Sequence, residues 1–148
     1  MPSLDTSVVR EVKINASPET VFSYLSEESK LRRWFSIAGD WKPKAGDHFR
    51  LHVTKENISG GKFLEVTPPT KLAFTFGWEG DDVSIAPGGS TIEITLTPAG
   101  AGTLVRLTHS GIPTEESAKR HGEGWQHYLD RLAIAATGAD PGRDPFQD

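Results

Sequence analysis

HSGIPTEESAKRHGEGWQHYLDRL, residues 109–132, decides the fold, because it joins the end of an alternating strand to one long helix. Thr114 stands where a hydroxyl can cap the first turn. Glu115 and Glu116 follow where exposed amides favour negative charge. At about 100° per residue, Ala118, His121, Trp125, Tyr128, Leu129, Leu132 and Ala136 share one face, and Arg120, Glu123, His127, Asp130 and Arg131 share the other. The first face is predicted to be buried and the second wet. Gly122 and Gly124 lie mid-helix, where each costs roughly 1 kcal/mol relative to alanine. Close backbone approach is the reason this reading prefers for them.

Upstream of this helix the period is two. Residues 8–14 alternate, with Val12 and Ile14 facing away from Glu11 and Lys13, and Arg10 falling on the apolar face. Ser17 and Pro18 open a short helix with Val21, Phe22 and Leu25 as its stripe. A second short helix covers about residues 27–34, and residues 37–47, with Gly39, Pro43 and Gly46, read as a loop. Strands follow at residues 48–54 and 61–67, joined by a turn at 57–60, then at the alternations Leu72, Phe74, Phe76 and Ile92, Ile94, Leu96. Gly60–Gly61 and Gly88–Gly89 both read as turns. The last strand carries Val105, Leu107 and His109 on its preferred inner face. Residues 138–148, with two prolines and no apolar period, read as a flexible tail. The order is one strand, two helices, about five strands and a long helix. That order predicts an α+β domain at residues 1–137, with one antiparallel sheet curved around the final helix.

Composition narrows the function classes. A chain of 148 residues fits one domain and one core. The absence of cysteine excludes disulfides, thiolate zinc sites and a cysteine nucleophile, and suits a reducing, cytoplasmic setting. No apolar run approaches the roughly 18 residues of a membrane span, and the first residues do not form an export signal. A net charge of −4 with interspersed signs offers no basic stripe for a phosphate backbone. Neither a nucleic acid nor a membrane is expected as partner.

Three segments, SPETVFSYLSEESKLRRWF (17–35), GTLVRLTHSG (102–111) and GWQHYLDRL (124–132), together resemble the homologues of the activator of heat-shock protein 90 ATPase. That family lies in the START-like superfamily, also called helix-grip, SRPBCC or Bet v 1-like. The resemblance covers about residues 8–135. It implies a curved antiparallel sheet gripping the last helix, with a cavity between them that holds apolar or amphipathic small molecules in many relatives. Some relatives are polyketide cyclases or aromatases, some carry lipids or hormones, and some are co-chaperones. A shared fold does not choose among these.

The candidate cavity residues are His109, His121, Trp125, Tyr128, Trp78, Phe76 and Gly124. An imidazole pair facing a pocket can move protons or bind an anionic or hydroxylated ligand, and the plainer reading is two hydrogen-bonded structural histidines. Zinc would need a third ligand, for which only Glu79, Asp81 or Asp82 are at hand, so no metal and no cofactor is expected. Trp34, Trp41 and several phenylalanines read as core or pocket wall, Trp78 as a cavity-entrance residue leaving the sheet, and Arg10 or Arg32 as partners for a ligand carboxylate. No nucleophile elbow, phosphate loop or carboxylate pair is present, which favours binding over covalent catalysis. Two expectations result. One is a small-molecule binding protein, with a cyclase-like enzyme as its catalytic variant. The other is an interaction protein that meets a chaperone or other partner through its exterior, as monomer or homodimer. A cavity of roughly 300 Å³ or more favours the first, and a filled interior the second.

Overall fold

The computed structural model describes residues 6–80 and 85–147. Its elements are β1 (Thr6–Ile14), α1 (Pro18–Ser26), α2 (Glu28–Leu31), β2 (Ala38–Asp40), β3 (His48–His52), β4 (Ile58–Thr67), β5 (Lys71–Trp78), β6 (Ser90–Ala99), β7 (Gly102–Ile112) and α3 (Glu115–Ala135). The strands form one antiparallel sheet in the order β1-β7-β6-β5-β4-β3-β2. This is the helix-grip architecture, with α3 packed against β1 and β7 and α1 against β6 and β7.

Register explains the core. Leu72 opposes Ile94, which opposes Leu107; Phe74 opposes Ile92, which opposes His109; Leu96 opposes Val105. All of these side chains are buried, so one face of three adjacent strands is continuous with the apolar stripe of α3. The parity preferred for β7 is the observed one. In β4 the pairing slips between Phe63 and Glu65, and such a bulge bends a strand. Both predicted caps form: the Ser17 hydroxyl accepts from the Thr20 amide at 3.2 Å, and the Thr114 hydroxyl accepts from the Ser117 amide at 3.0 Å.

Five local expectations are corrected. Residues 37–47 are not all loop, because Ala38–Asp40 pairs with Arg50–His52 as an edge strand. The turn after β3 lies earlier than 57–60: the Val53 and Thr54 amides donate to the Asn57 carbonyl, and Gly60 already pairs with Gly77 inside the sheet. Gly60–Gly61 is therefore strand, while Gly88–Gly89 is a turn as expected. Trp78 is the last residue of β5 and still pairs with Ser59. The supposedly wet face of α3 is partly covered by residues 139–147, which fold back over it. His127 and Arg131 are half-buried there, and Asp144 is buried beneath them.

The two helix glycines have separate reasons. A Cβ on Gly122 would lie 2.5 Å from an Arg10 guanidinium nitrogen and 3.4 Å from Val8 Cγ1, whereas a Cβ on Gly124 would meet nothing within 4 Å. Gly122 is the close approach between α3 and β1; Gly124 faces open space. Gly124→Ala is expected to raise stability by about 0.5–1 kcal/mol through helix propensity alone. Gly122→Ala should gain less or lose, since Arg10 must move. Urea midpoints check this, and equal gains at both positions would contradict it.

Candidate ligand cleft

A cleft of about 530 Å³ opens between α3, the end of β5, the β3–β4 turn and the C-terminal segment. Phe76 and Trp78 form the sheet wall, and His121, Gly124, Trp125 and Tyr128 the helix wall. Phe35 closes the inner end, stacked on Trp125 with centroids 5.4 Å apart and edge-on to Tyr128 at 4.9 Å. Val53, Thr54 and Asn57 enter from the turn and Phe146 from the C-terminal segment. The size lies within the roughly 300–1,000 Å³ usual for small-molecule sites, and the mostly aromatic walls suit an apolar occupant.

Of the seven residues singled out from sequence, six line this cleft. His109 does not: it is 0% exposed and sits behind Phe76 and Trp125, edge-on to Phe76 with centroids 5.5 Å apart. Trp34 and Trp41 are core, their indoles donating to the Tyr24 and Leu25 carbonyls at 2.9 and 2.7 Å. Arg32 pairs with Glu28 at 2.9 Å. Arg10 lies beside Gly122 rather than in the cleft.

Hydrogen bonds fix the state of both imidazoles. The Trp125 indole, which can only donate, reaches His109 Nδ1 at 3.0 Å. His109 therefore carries its proton on Nε2, which donates to Ser90 Oγ at 2.7 Å. The Ser90 hydroxyl passes its own proton to the Phe76 carbonyl at 2.7 Å. In the same way the Trp78 indole donates to His121 Nε2 at 3.0 Å, so Nδ1–H donates to the Ser117 carbonyl at 2.7 Å. Every ring nitrogen of the pair is engaged. Burial, reinforced by the nearby His121, pushes His109 down to about 3. Burial also lowers His121, with the Ser117 carbonyl opposing and Arg120 assisting. Burial and the Asp144 charge raise Tyr128, against Arg131. The structural reading of the histidines is therefore the one the geometry favours. In this arrangement neither ring offers a free lone pair or proton to a substrate.

Glu79, one of the three carboxylates considered for zinc, is held by Arg50 through bonds of 2.6 and 2.8 Å; Asp81 and Asp82 lie outside the described residues. Among the described residues no group of three or more histidines and carboxylates is placed to hold a metal ion. No helix among them is long and apolar enough to cross a membrane.

Sequence reasoning missed Phe146, Thr54, Asn57 and Arg120 as cleft residues. Arg120 was placed correctly on the exposed helix face, yet that face borders the cleft mouth. Phe146 carried no periodic signal: it is positioned by stacking on His127, centroids 3.9 Å apart, while Asp144 accepts from His127 Nε2 at 2.8 Å.

A family model described as "Activator of Hsp90 ATPase homolog 1-like protein" matches residues 15–137. The chain belongs to this family. Among curated protein sequences none matches. Among solved structures, the AHSA1-like protein of Rhizobium etli is 42% identical with a TM-score of 0.75, covering 100% of this chain and 91% of that one. DynU16, a protein of the dynemicin biosynthetic locus, superposes with a TM-score of 0.81 at 20% identity, covering 97% of this chain and 51% of its own length. The Aha1 dimer from Colwellia psychrerythraea gives 0.76 at 20% identity, covering 88% of this chain and 96% of that one. At such identities the last two likenesses concern the fold.

Burying a neutral His109 has a consequence for stability. The unfolded chain takes up this proton below about pH 6.5, whereas the folded protein resists until about pH 3. The contribution is complete above pH 6.5 and is lost as pH falls, by up to about 1.4 kcal/mol per pH unit. Unfolding midpoints measured from pH 7 to pH 4 should therefore fall less steeply for His109→Gln than for wild type. Parallel slopes would show that His109 ionises freely in the fold.

Proposed function

We propose that this protein binds a small apolar or amphipathic molecule in the cleft between β5 and α3, without covalent chemistry of its own. One observation carries this reading: a space of about 530 Å³ walled by Phe35, Phe76, Trp78, Trp125 and Tyr128 opens between sheet and helix. Gly124 widens it, since no atom stands within 4 Å of where its side chain would be. The role assigned to His121, Trp125, Tyr128, Trp78, Phe76 and Gly124 is contact with the ligand; His109 supports Trp125 from behind. With the imidazole nitrogens already bonded within the protein, catalysis by proton transfer would first have to break the Trp78–His121 or Trp125–His109 bond. The place of DynU16 in a biosynthetic locus agrees with a small organic molecule as the occupant.

The neutral fluorophore N-phenyl-1-naphthylamine should bind wild type at about one site per chain. Gly124→Leu places an isobutyl group in the cleft, and should weaken binding about tenfold or more while the protein still folds. Fluorescence titration gives the affinity and circular dichroism the fold. A wild type that fails to bind, or a leucine variant that binds as well, would transfer function to the exterior surface.

A further inference from the structure

Beside the apolar cleft runs a second groove, of about 560 Å³, of opposite character. Arg32, Arg33, Lys55, Arg131 and Arg143 converge on it, the first two from the turn after α2 and the others from the β3–β4 turn, α3 and the C-terminal segment. Against these five cations stand the carboxylates of Asp140 and Asp144, in a chain whose net charge is −4. Asp144 already accepts a hydrogen bond from His127 at 2.8 Å and lies 3.9 Å from the Arg131 guanidinium. Arg131 also holds the Pro141 and Gly142 carbonyls, at 3.4 and 3.1 Å, and Arg32 holds Glu28. Arg33 and Lys55 have no ion pair among the described residues, and both are exposed.

The groove and the cleft are neighbours along four of the segments that build them. Phe35 lines the cleft and Arg33 the groove; Val53 the cleft and Lys55 the groove; Tyr128 the cleft and Arg131 the groove; Phe146 the cleft and Asp144 the groove. Four segments thus turn an apolar residue to one side and a charged one to the other, within three positions of each other.

We propose that the two spaces form one site, and that its occupant is an amphipathic anion whose apolar body lies in the cleft and whose carboxylate or phosphate head lies against Arg33 and Lys55. This rests on the reading of the cleft as a ligand site. The charged head is recognised at the solvent edge, where Arg33 and Lys55 supply the donors that the histidines, committed to indoles, the Ser90 hydroxyl and the Ser117 carbonyl, do not. An exposed pair of cations attracts such a head modestly and in a salt-dependent way.

Displacement of N-phenyl-1-naphthylamine from the full chain by three competitors of equal chain length, dodecanoate, dodecyl phosphate and dodecanol, tests this. In low salt at least one anion should compete about fivefold better than the alcohol, and the stronger of the two anions names the head. The preference should fall to near one in the R33Q/K55Q variant, with the affinity of dodecanol unchanged. Competition by both anions no better than by the alcohol in wild type would overturn the inference while leaving the cleft reading intact. So would a preference that survives in R33Q/K55Q, or one that is lost instead in Arg120→Gln, which would put the head at the opposite rim. Failure of the fluorophore itself to bind wild type would overturn both readings.

Discussion

The bond from the Trp125 indole to His109 Nδ1 is the constraint on which the rest of the site depends. An indole buried between sheet and helix must place its N–H on an acceptor, because a dry, unpaired donor costs on the order of 1–3 kcal/mol. The acceptor it meets is an imidazole lone pair, which exists only while His109 is neutral. That choice puts the histidine proton on Nε2 and requires Ser90 Oγ, whose own proton requires the Phe76 carbonyl. One donor on α3 is thereby tied through β7 and β6 to β5. The helix cannot slide along the sheet without stranding several buried polar groups, so the position of Trp125, and with it the inner wall of the cleft, is set.

Around that anchor α3 is asymmetric. At Gly122 the helix comes so close to β1 that Arg10 occupies the space a side chain would need; at Gly124, two residues on, it stands clear of everything. A helix centred over the sheet would fill both sides equally. Pressing one flank against β1 leaves the other flank apart from β5, and the aromatic side chains of Phe76, Trp78 and Tyr128 border the space that remains. The second imidazole repeats the logic of the first at the cleft wall: Trp78 donates to His121, and His121 to the Ser117 carbonyl one turn back in its own helix. Two indole–imidazole pairs, their imidazole centroids 5.2 Å apart, link β5 and β7 to α3 without a charged group.

Much of this was legible in the chain. The 3.6-residue stripe of α3, both hydroxyl caps and the inner parity of Val105, Leu107 and His109 all rest on local patterns that tertiary packing reinforces. What escaped has physical causes. Ala38–Asp40 is exposed throughout, so its pairing left no alternation to read. Gly60 and Gly61 look like a turn because glycine is permissive, yet in β4 they are extended, and a side chain on Gly61 would collide with the Thr75 carbonyl of the neighbouring strand. Residues 139–147 have no period of their own. Their placement depends on His127 and Arg131, and a helical wheel drawn relative to the sheet cannot show that a polar face is covered by something else. The histidines were found as a pair, but only the donor-only nature of the two indoles decides that both are neutral, and sequence does not say which tryptophan meets which histidine.

The C-terminal segment is where the two halves of the surface meet. Asp144 is buried under His127 and Arg131, and two residues later Phe146 stacks on His127 while standing 51% exposed at the cleft. The same short stretch therefore supplies a carboxylate to the basic groove and an aromatic wall to the apolar cleft. Its hold on α3 is electrostatic on one side and apolar on the other. The imidazole nitrogens at the cleft are taken up by the two indoles, the Ser90 hydroxyl and the Ser117 carbonyl, and the charged groove beside it is built by α3 and by segments outside the sheet. The sheet and α3 set the width and the aromatic walls of the cleft. The β3–β4 turn, the residues after α2 and the C-terminal segment set the charge beside it, so a chain that keeps the first set and changes the second keeps this fold with a chemically different rim.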